Sequence, residues 1–218
     1  MQPLKAFEYN MSRVDGLLKI RKEMSRQQGK ARPRREVSDL LRSALVLAVS
    51  AFDAYCHDCL ASHARDGLIR TLSSAEWPPQ LQDFIKEHFK AHELCKMFAH
   101  ADPQGELVEA FVGCFDSRSF QDVGRIEKVF SFLGIRSICE EVAKKVGLSR
   151  DELTGRIAEI FGRRHSIAHS GDYEEGAQGR PKQKPIKASQ VEAEIAWLRQ
   201  VTRELDSFVT GQLGPGRS

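Results

Sequence analysis

The chain of 218 residues has few of the features that mark secreted, disulfide-rich or membrane proteins. It has five cysteines, an odd number without regular spacing, which favours reduced thiols over a disulfide framework. The first residues, MQPLKAF, contain no apolar segment of the kind found in a secretory signal. No run approaches the roughly 18 to 20 apolar residues of a membrane span. We therefore expect a cytoplasmic protein with no membrane partner.

The sequence is also poor in strand signals, because no segment sustains an alternation of apolar and polar residues. Apolar residues recur instead at helical spacing along most of the chain. A composition of 41% hydrophobic and 29% charged residues is ordinary for a globular domain. The predicted fold class is all-α, a single bundle-like domain of about six to eight helices over residues 1–210. Residues 211–218 are expected to form a disordered tail.

The charge balance is only mildly basic. A net charge of +3 is compatible with a nucleic-acid partner but does not require one. Local basic segments are more informative than this total. Residues 173–188 are broken by glycine and proline and are expected to form an open basic loop that guides an anionic ligand.

Helical periodicity predicts the main elements and their breaks. The segment 36–64 has the widest apolar stripe and is expected to be buried on most sides. Within it, Asp53 is a carboxylate in apolar surroundings, which either pairs with an arginine or lies on a thin polar face. Further helices are expected over 4–27 and 80–99, with a loop over 66–80 and a final helix from about 189.

Two groups of cysteine and histidine residues were considered as metal sites. Cys56 and Cys59 form a C-x-x-C, but no second pair exists and the motif lies within a predicted helix, so core packing is expected. His88, His92 and Cys95 share a helix face, yet the glutamate of H-E-x-x-H is missing. No metal ligands and no cofactor are predicted, although a metal protein that uses the second group stays as an alternative.

The segment from Gly162 to Asp172 has the highest density of chemically active side chains. Ser149 and Glu152 form a capping box that begins the helix leading to it. At roughly 100° per residue, Arg164 projects into the apolar stripe of that helix. Because His165 and His169 are four residues apart, they share one helix face. Arg164 and the two histidines are therefore expected to converge beside an apolar seam, whereas Arg163 points elsewhere into solvent.

The spacing from Arg164 to His169 resembles the R-x4-H signature of the HEPN superfamily of ribonucleases. The stretch Ser43–Tyr55 resembles the long helix of the RiboL-PSP-HEPN type, and Ser119–Gln121 resembles the middle of that family. On this resemblance the HEPN-like core spans about residues 36–172, with an N-terminal and a C-terminal helix packed on it. One departure is His165, which stands where asparagine is commoner.

The resemblance implies a metal-independent endoribonuclease that needs no cofactor. It also implies a homodimer with a composite active site, in which the arginine and histidine of two protomers face each other. The expected setting is prokaryotic defence or a toxin–antitoxin pair, with an antitoxin or a defence-system partner protein. An alternative keeps the fold without the chemistry, as a HEPN module that binds RNA, a nucleotide or a partner protein.

Cleavage of RNA by its own 2′-OH would require specific roles of the residues between Gly162 and Asp172. RNA supplies its own nucleophile, the 2′-OH, so the protein must move protons and stabilise charge on the phosphate. His169 can act as base or acid, Arg164 can clamp the phosphate, and His165 can orient either one. Three supporting residues are expected to orient these groups: Asp53, Ser166 and Asp172. Four basic residues are expected to contact RNA: Arg163, Arg180, Lys182 and Lys184.

A purely structural role is the remaining alternative. In that case Arg164 forms a buried pair with Asp53, and the two histidines only cap a helix end.

Overall fold

The structure is a computed structural model that describes residues 2–28, 35–115, 119–120, 122–175 and 181–214. These residues form nine α-helices and one two-stranded sheet, which confirms the all-α fold class. In chain order the elements are α1 (Pro3–Gln28), α2 (Arg35–Leu72), α3 (Pro79–His88), α4 (Ala91–Phe98), α5 (Pro103–Gly113), α6 (Val123–Phe132), α7 (Ile138–Lys145), α8 (Arg150–Ser170), β1 (Tyr173–Glu175), β2 (Pro181–Gln183) and α9 (Ala188–Leu213).

Helix α2 is the centre of the bundle. Its wide apolar stripe is contacted by α1, α5, α6, α8 and α9, so the other helices are arranged around it. Cys56 and Cys59 are fully buried on this helix, which confirms the expectation of core packing. Burial raises the pKa of the Cys59 thiol to about 12, so this thiol stays protonated at neutral pH.

Helix α2 is also apolar enough to be compared with a membrane span. Its most apolar 18-residue window has a mean hydropathy of 1.4. However, 56% of that window is buried inside the domain. This burial is typical of the core helix of a helical bundle.

The helix count exceeds the expected six to eight because one predicted helix is divided. The segment 80–99 contains α3 and α4, and the chain is extended at Phe89 between them. The side chain of Phe89 is buried and its ring lies near that of Phe84, so packing of this ring accompanies the break.

The predicted loop over 66–80 is also wrong in part, because α2 continues to Leu72 and contains Gly67. A Cβ at Gly67 would lie 2.8 Å from the Cβ of Leu133, so glycine permits close packing there.

The segment expected to be an open loop after residue 172 contains a β-hairpin. Strands β1 and β2 are antiparallel, with Tyr173 opposite Gln183 and Glu174 opposite Lys182. The strands are only three residues long, which is too short for periodicity to predict. Arg180, one of the expected RNA contacts, lies outside the described residues.

The C-terminal boundary also differs from the expectation. Helix α9 continues to Leu213, so the first residues of the expected tail are helical, and residues 215–218 lie outside the described part.

Among the described residues no group of three or more His, Cys, Asp or Glu side chains could hold a metal ion. His88 instead stacks on Phe84, with ring centroids 4.1 Å apart.

Candidate active site

Helix α8 carries the whole R-x4-H segment, as the sequence predicted. The capping box is present: the Ser149 hydroxyl accepts a hydrogen bond from the Glu152 amide, and the Glu152 carboxylate accepts one from the Ser149 amide. The helix then runs without interruption to Ser170. Arg164 and His169 therefore lie in the last two turns of one regular helix.

The packing face of α8 leads directly to Arg164. Four apolar side chains, Leu153, Ile157, Ile160 and Phe161, are buried against the core. Arg164 continues this stripe and is half-buried, as its projection predicted. The Nε atom of Arg164 is buried, so part of the guanidinium lies against the protein. Binding of an anion by this guanidinium therefore costs less conformational entropy than binding by a fully exposed arginine.

His165 and His169 occupy the exposed side of the same helix end. Their ring centroids are 4.5 Å apart, which confirms that they share one face. On an ideal helix the backbone position of Arg164 lies about 140° around the axis from that of His169. The two imidazoles are thus neighbours of each other, whereas the guanidinium begins from a different side of the helix.

A left-handed turn ends α8 directly after Ser170. Gly171 has φ of 63° and Asp172 has φ of 62°, and aspartate is one of the few side chains that adopt this conformation readily. The Ser166 carbonyl accepts a hydrogen bond from the Asp172 amide at 3.0 Å and one from the Ser170 hydroxyl at 2.7 Å. In the structure, the Ser166 backbone thus anchors the turn.

Asp172 is the buried centre of this turn, with a side-chain exposure of 0%. Its Oδ2 atom accepts hydrogen bonds from Arg42 Nε at 2.9 Å and from an Arg163 terminal nitrogen at 2.7 Å. The Arg42 guanidinium also donates to the Lys184 carbonyl at 2.6 Å. We call Asp172, Arg42 and Arg163 the arginine clamp; it ties α2, α8 and the hairpin together.

The clamp corrects one sequence prediction and refines another. Arg163 is not a solvated residue, because its guanidinium pairs with Asp172 and is only 28% exposed. Its charge is shared with the buried Asp172 carboxylate, and its contact with RNA stays a prediction. Asp172 is expected to orient one of the catalytic groups, but the partners that the structure gives it are Arg42 and Arg163.

Asp53 has a different set of partners from those expected. Its Oδ1 atom accepts hydrogen bonds from the Phe120 amide at 2.5 Å and from the Ser119 hydroxyl at 3.1 Å. Arg125 donates to the Ser119 carbonyl at 2.7 Å from the first turn of α6. The carboxylate therefore fixes the chain that enters α6.

The two remaining lysines of the expected RNA contacts differ in accessibility. Lys182 is exposed on β2, opposite the Glu174 carboxylate of β1. Lys184 is half-buried, and its amide donates to the Asp172 carbonyl at 2.8 Å. Of this pair, Lys182 is the better placed to contact a ligand.

A cleft of about 430 Å³ opens beside the end of α8. Residues from α2, α8 and the hairpin line it, among them Arg35, Arg42, Ser43, Ile167, Tyr173 and Gln183. Sequence reasoning did not single out Arg42 or Tyr173. Arg42 carried a usable signal, because it lies between Leu41 and Leu45 on the buried stripe of α2 and so needs a buried acid.

The comparisons with known proteins identify the family. No curated protein and no solved structure matches the chain. The family model described as RiboL-PSP-HEPN matches residues 13–211, which is most of the chain and includes both α2 and α8. The match agrees with the helical fold and with the family that the sequence resembles. The chain therefore belongs to the RiboL-PSP-HEPN family.

Proposed function

We propose that the protein is a metal-independent endoribonuclease that cleaves RNA by attack of the 2′-OH on the adjacent phosphate. The observation that carries this proposal is the end of α8, where two exposed imidazoles have ring centroids 4.5 Å apart on the same two helical turns that carry the half-buried Arg164. Imidazole can accept and donate protons near neutral pH, and a guanidinium is a permanent, bidentate phosphate ligand. HEPN domains are commonly ribonucleases, which supports the same chemistry.

The reaction needs a base at the 2′-OH and an acid at the 5′-oxygen that leaves. The attacking and leaving oxygens are roughly in line across the phosphorus, so these two groups must stand on opposite sides of the phosphate. His165 and His169 of one chain are adjacent rings on one helix face and cannot flank a phosphate in this way. We therefore propose a homodimer in which His169 of each protomer takes one of the two proton transfers.

Arg164 and His165 complete the proposed mechanism. Arg164 neutralises the charge that develops on the phosphorane, and His165 positions the phosphate or the neighbouring His169. The products are a 2′,3′-cyclic phosphate and a 5′-hydroxyl. Every proton in this scheme moves between the RNA and a side chain, so no metal ion is required.

Cleavage of single-stranded RNA in the presence of EDTA tests the proposal. His169→Ala should lower the rate by roughly 10²- to 10⁴-fold, the usual contribution of general acid–base catalysis. His92→Ala is the matched control, because His92 is an exposed histidine on α4. Equal rates for the two variants would rule out the assignment of His169.

We also propose that this activity serves as a toxin or an antiviral defence effector, held in check by an antitoxin or a defence-system partner. Expression of the chain in a bacterial host should then slow growth, and Arg164→Ala should remove the effect. Arg13→Ala, at an exposed arginine of α1, should leave the toxicity unchanged. Toxicity that persists in Arg164→Ala would separate the growth effect from the proposed chemistry.

A further inference from the structure

We propose that the cleft beside the end of α8 is a nucleotide subsite, which takes one unpaired base of single-stranded RNA and its phosphate. Tyr173 is the stacking platform, and Arg35 is the phosphate contact. This inference rests on the proposed ribonuclease function, because it names the form of RNA that the same site accepts. The cleft volume of about 430 Å³ lies within the range of small-ligand sites.

The position of the cleft links it to the proposed reaction centre. Ile167, which lies between Arg164 and His169 in the sequence of α8, lines the cleft. Gly171, two residues after His169, also lines it. A nucleotide held here is therefore next to the segment that contacts the scissile phosphate.

Tyr173 has the exposure and the support that a stacking residue needs. Its side chain lines the cleft, and the residue is 42% exposed. One ring edge lies so close to Gly171 that a Cβ there would be 2.9 Å from the ring. Its hydroxyl accepts a hydrogen bond from Arg35 at 3.2 Å. The ring is thus held in place without being covered.

The polar groups around the ring fit a base and a phosphate. Arg35 is 70% exposed and its Nε lies 3.6 Å from an Asp39 oxygen; this solvent-exposed pair is weak, so the guanidinium can turn from Asp39 to a phosphate oxygen while staying near the ring. Gln183 offers an amide whose two contacts, to Asp39 at 3.4 Å and to the Gly171 carbonyl at 3.5 Å, are long. Such an amide can exchange these contacts for hydrogen bonds to a base edge. Arg42 adds buried positive charge at the cleft wall, although it shares this charge with Asp39 and Asp172.

The chemistry of the cleft selects unpaired RNA over a duplex. A base can stack on a protein ring only when it is unstacked from the adjacent bases of the RNA. Paired bases in an A-form helix are stacked on each other and are not available for this contact. Stacking tolerates any base, because each has a π-face. The subsite is therefore expected to prefer single strands with little dependence on sequence.

Binding of a labelled RNA tests the subsite without depending on cleavage. The probe is a 5′-fluorescein-labelled single strand of mixed sequence and about 12 nucleotides, a typical site length for single-strand binding. All proteins carry His169→Ala, so that the probe stays intact, and fluorescence anisotropy gives the Kd. Tyr173→Ala should raise the Kd by about tenfold or more, because stacking on one aromatic ring contributes that much. Tyr173→Phe should bind within about twofold of its parent, since it keeps the ring.

Tyr9→Ala is the matched control, because Tyr9 is an exposed tyrosine on α1. It should bind as the parent does. Equal Kd values for Tyr173→Ala and Tyr9→Ala would overturn the subsite, and so would a parent protein that binds the duplex as tightly as the single strand. Loss of binding in Tyr173→Ala together with no cleavage by the unmodified chain would leave the subsite standing and reject the ribonuclease.

Photo-crosslinking gives a second readout that needs no substitution at Tyr173. RNA containing 5-iodouridine is irradiated with the His169→Ala parent in excess, so that the RNA stays intact, and the crosslinked peptide is identified by mass spectrometry. A crosslink in the peptide that contains Tyr173 supports the subsite. Crosslinks that form only elsewhere overturn it, even if Tyr173→Ala fails to fold.

Discussion

Gly171 has no side chain, and this leaves room for the Tyr173 ring to pack against the end of α8. It has positive φ, and a Cβ would be 2.9 Å from the Tyr173 ring. Gly171→Ala should therefore lower the free energy of unfolding by about 1 kcal/mol or more, from backbone strain and from displacement of the ring. Urea unfolding measures this change, and the fluorescence of Tyr173 in a background without other tyrosines reports the ring.

Gly162, in contrast to Gly171, lies where a side chain could be added without a clash. It lies within α8, and a Cβ there would meet nothing within 4 Å. Gly162→Ala should raise the free energy of unfolding by about 0.5–1 kcal/mol, because alanine has the higher helix propensity. Equal destabilisation by both substitutions would show that the conformation of the turn at Gly171 is not special.

His63 makes the stability of the fold depend on pH. Burial lowers the pKa of His63 below 6.5, and the Asp206 carboxylate opposes this shift only in part. Below pH 6.5 the unfolded chain takes up a proton that the folded chain resists, so the free energy of unfolding should fall as the pH falls. His63→Gln should show a smaller fall between pH 6.5 and about 5, measured by urea unfolding at each pH.

The exposed His92 supplies the comparison. His92→Gln should keep the pH dependence of the unmodified chain. If His63→Gln keeps it too, another group in the chain is responsible.

Among the elements, the hairpin depends on the arginine clamp for its position. Asp172→Ala would remove the buried carboxylate of Arg42 and leave only the partly exposed Asp39, 3.5 Å away, which should cost about 3 kcal/mol of unfolding free energy. Arg163→Ala should cost clearly less, because Asp172 keeps its bond to Arg42 and Arg163 is partly exposed. Hydrogen exchange of the hairpin amides should increase in Asp172→Ala before that of α9 does. A uniform change across both elements would contradict a local role for the clamp.

The difference between α8 and the hairpin shows what periodicity can predict. Helix α8 has a capping box and a repeated apolar stripe, so both its start and its course were predicted correctly. The hairpin has three residues in each strand and is fixed by contacts from Arg42 and Arg163, which are distant in sequence from its second strand. Contacts of this kind leave no periodic pattern, so the segment was predicted as a loop.

The candidate site was likewise predictable only where its residues are close together in the sequence. His165 and His169 are neighbours on one helix face, as helical geometry predicts, whereas the expected convergence of Arg164 with them stays a prediction. The partners of Asp53 and the Arg42 partner of Asp172 could not be predicted in this way, because they are far away in the chain; only Arg163 is close in sequence to Asp172. The pairing of the two histidines was therefore predictable from local geometry, whereas the supporting interactions required the tertiary structure.

For the whole molecule, the proposed dimer makes a quantitative prediction about mixed subunits. If one active site needs His169 from both protomers, a dimer of one unmodified and one His169→Ala chain should be inactive. After subunit exchange, the activity should then follow the square of the unmodified fraction. A linear dependence would indicate that each protomer acts alone. Size-exclusion chromatography with light scattering establishes the dimer, and His92→Ala in place of His169→Ala should leave the activity constant.

The most direct test of the central claim is the chemistry of the RNA ends. An RNA that the protein cuts is incubated with it in EDTA, and the products are analysed by mass spectrometry, beside the same RNA carrying a single 2′-deoxy nucleotide at the cut position. The account predicts a 2′,3′-cyclic phosphate and a 5′-hydroxyl from the first RNA, and no cut at that position in the second. A 5′-phosphate product, or cleavage of the 2′-deoxy position, would contradict it.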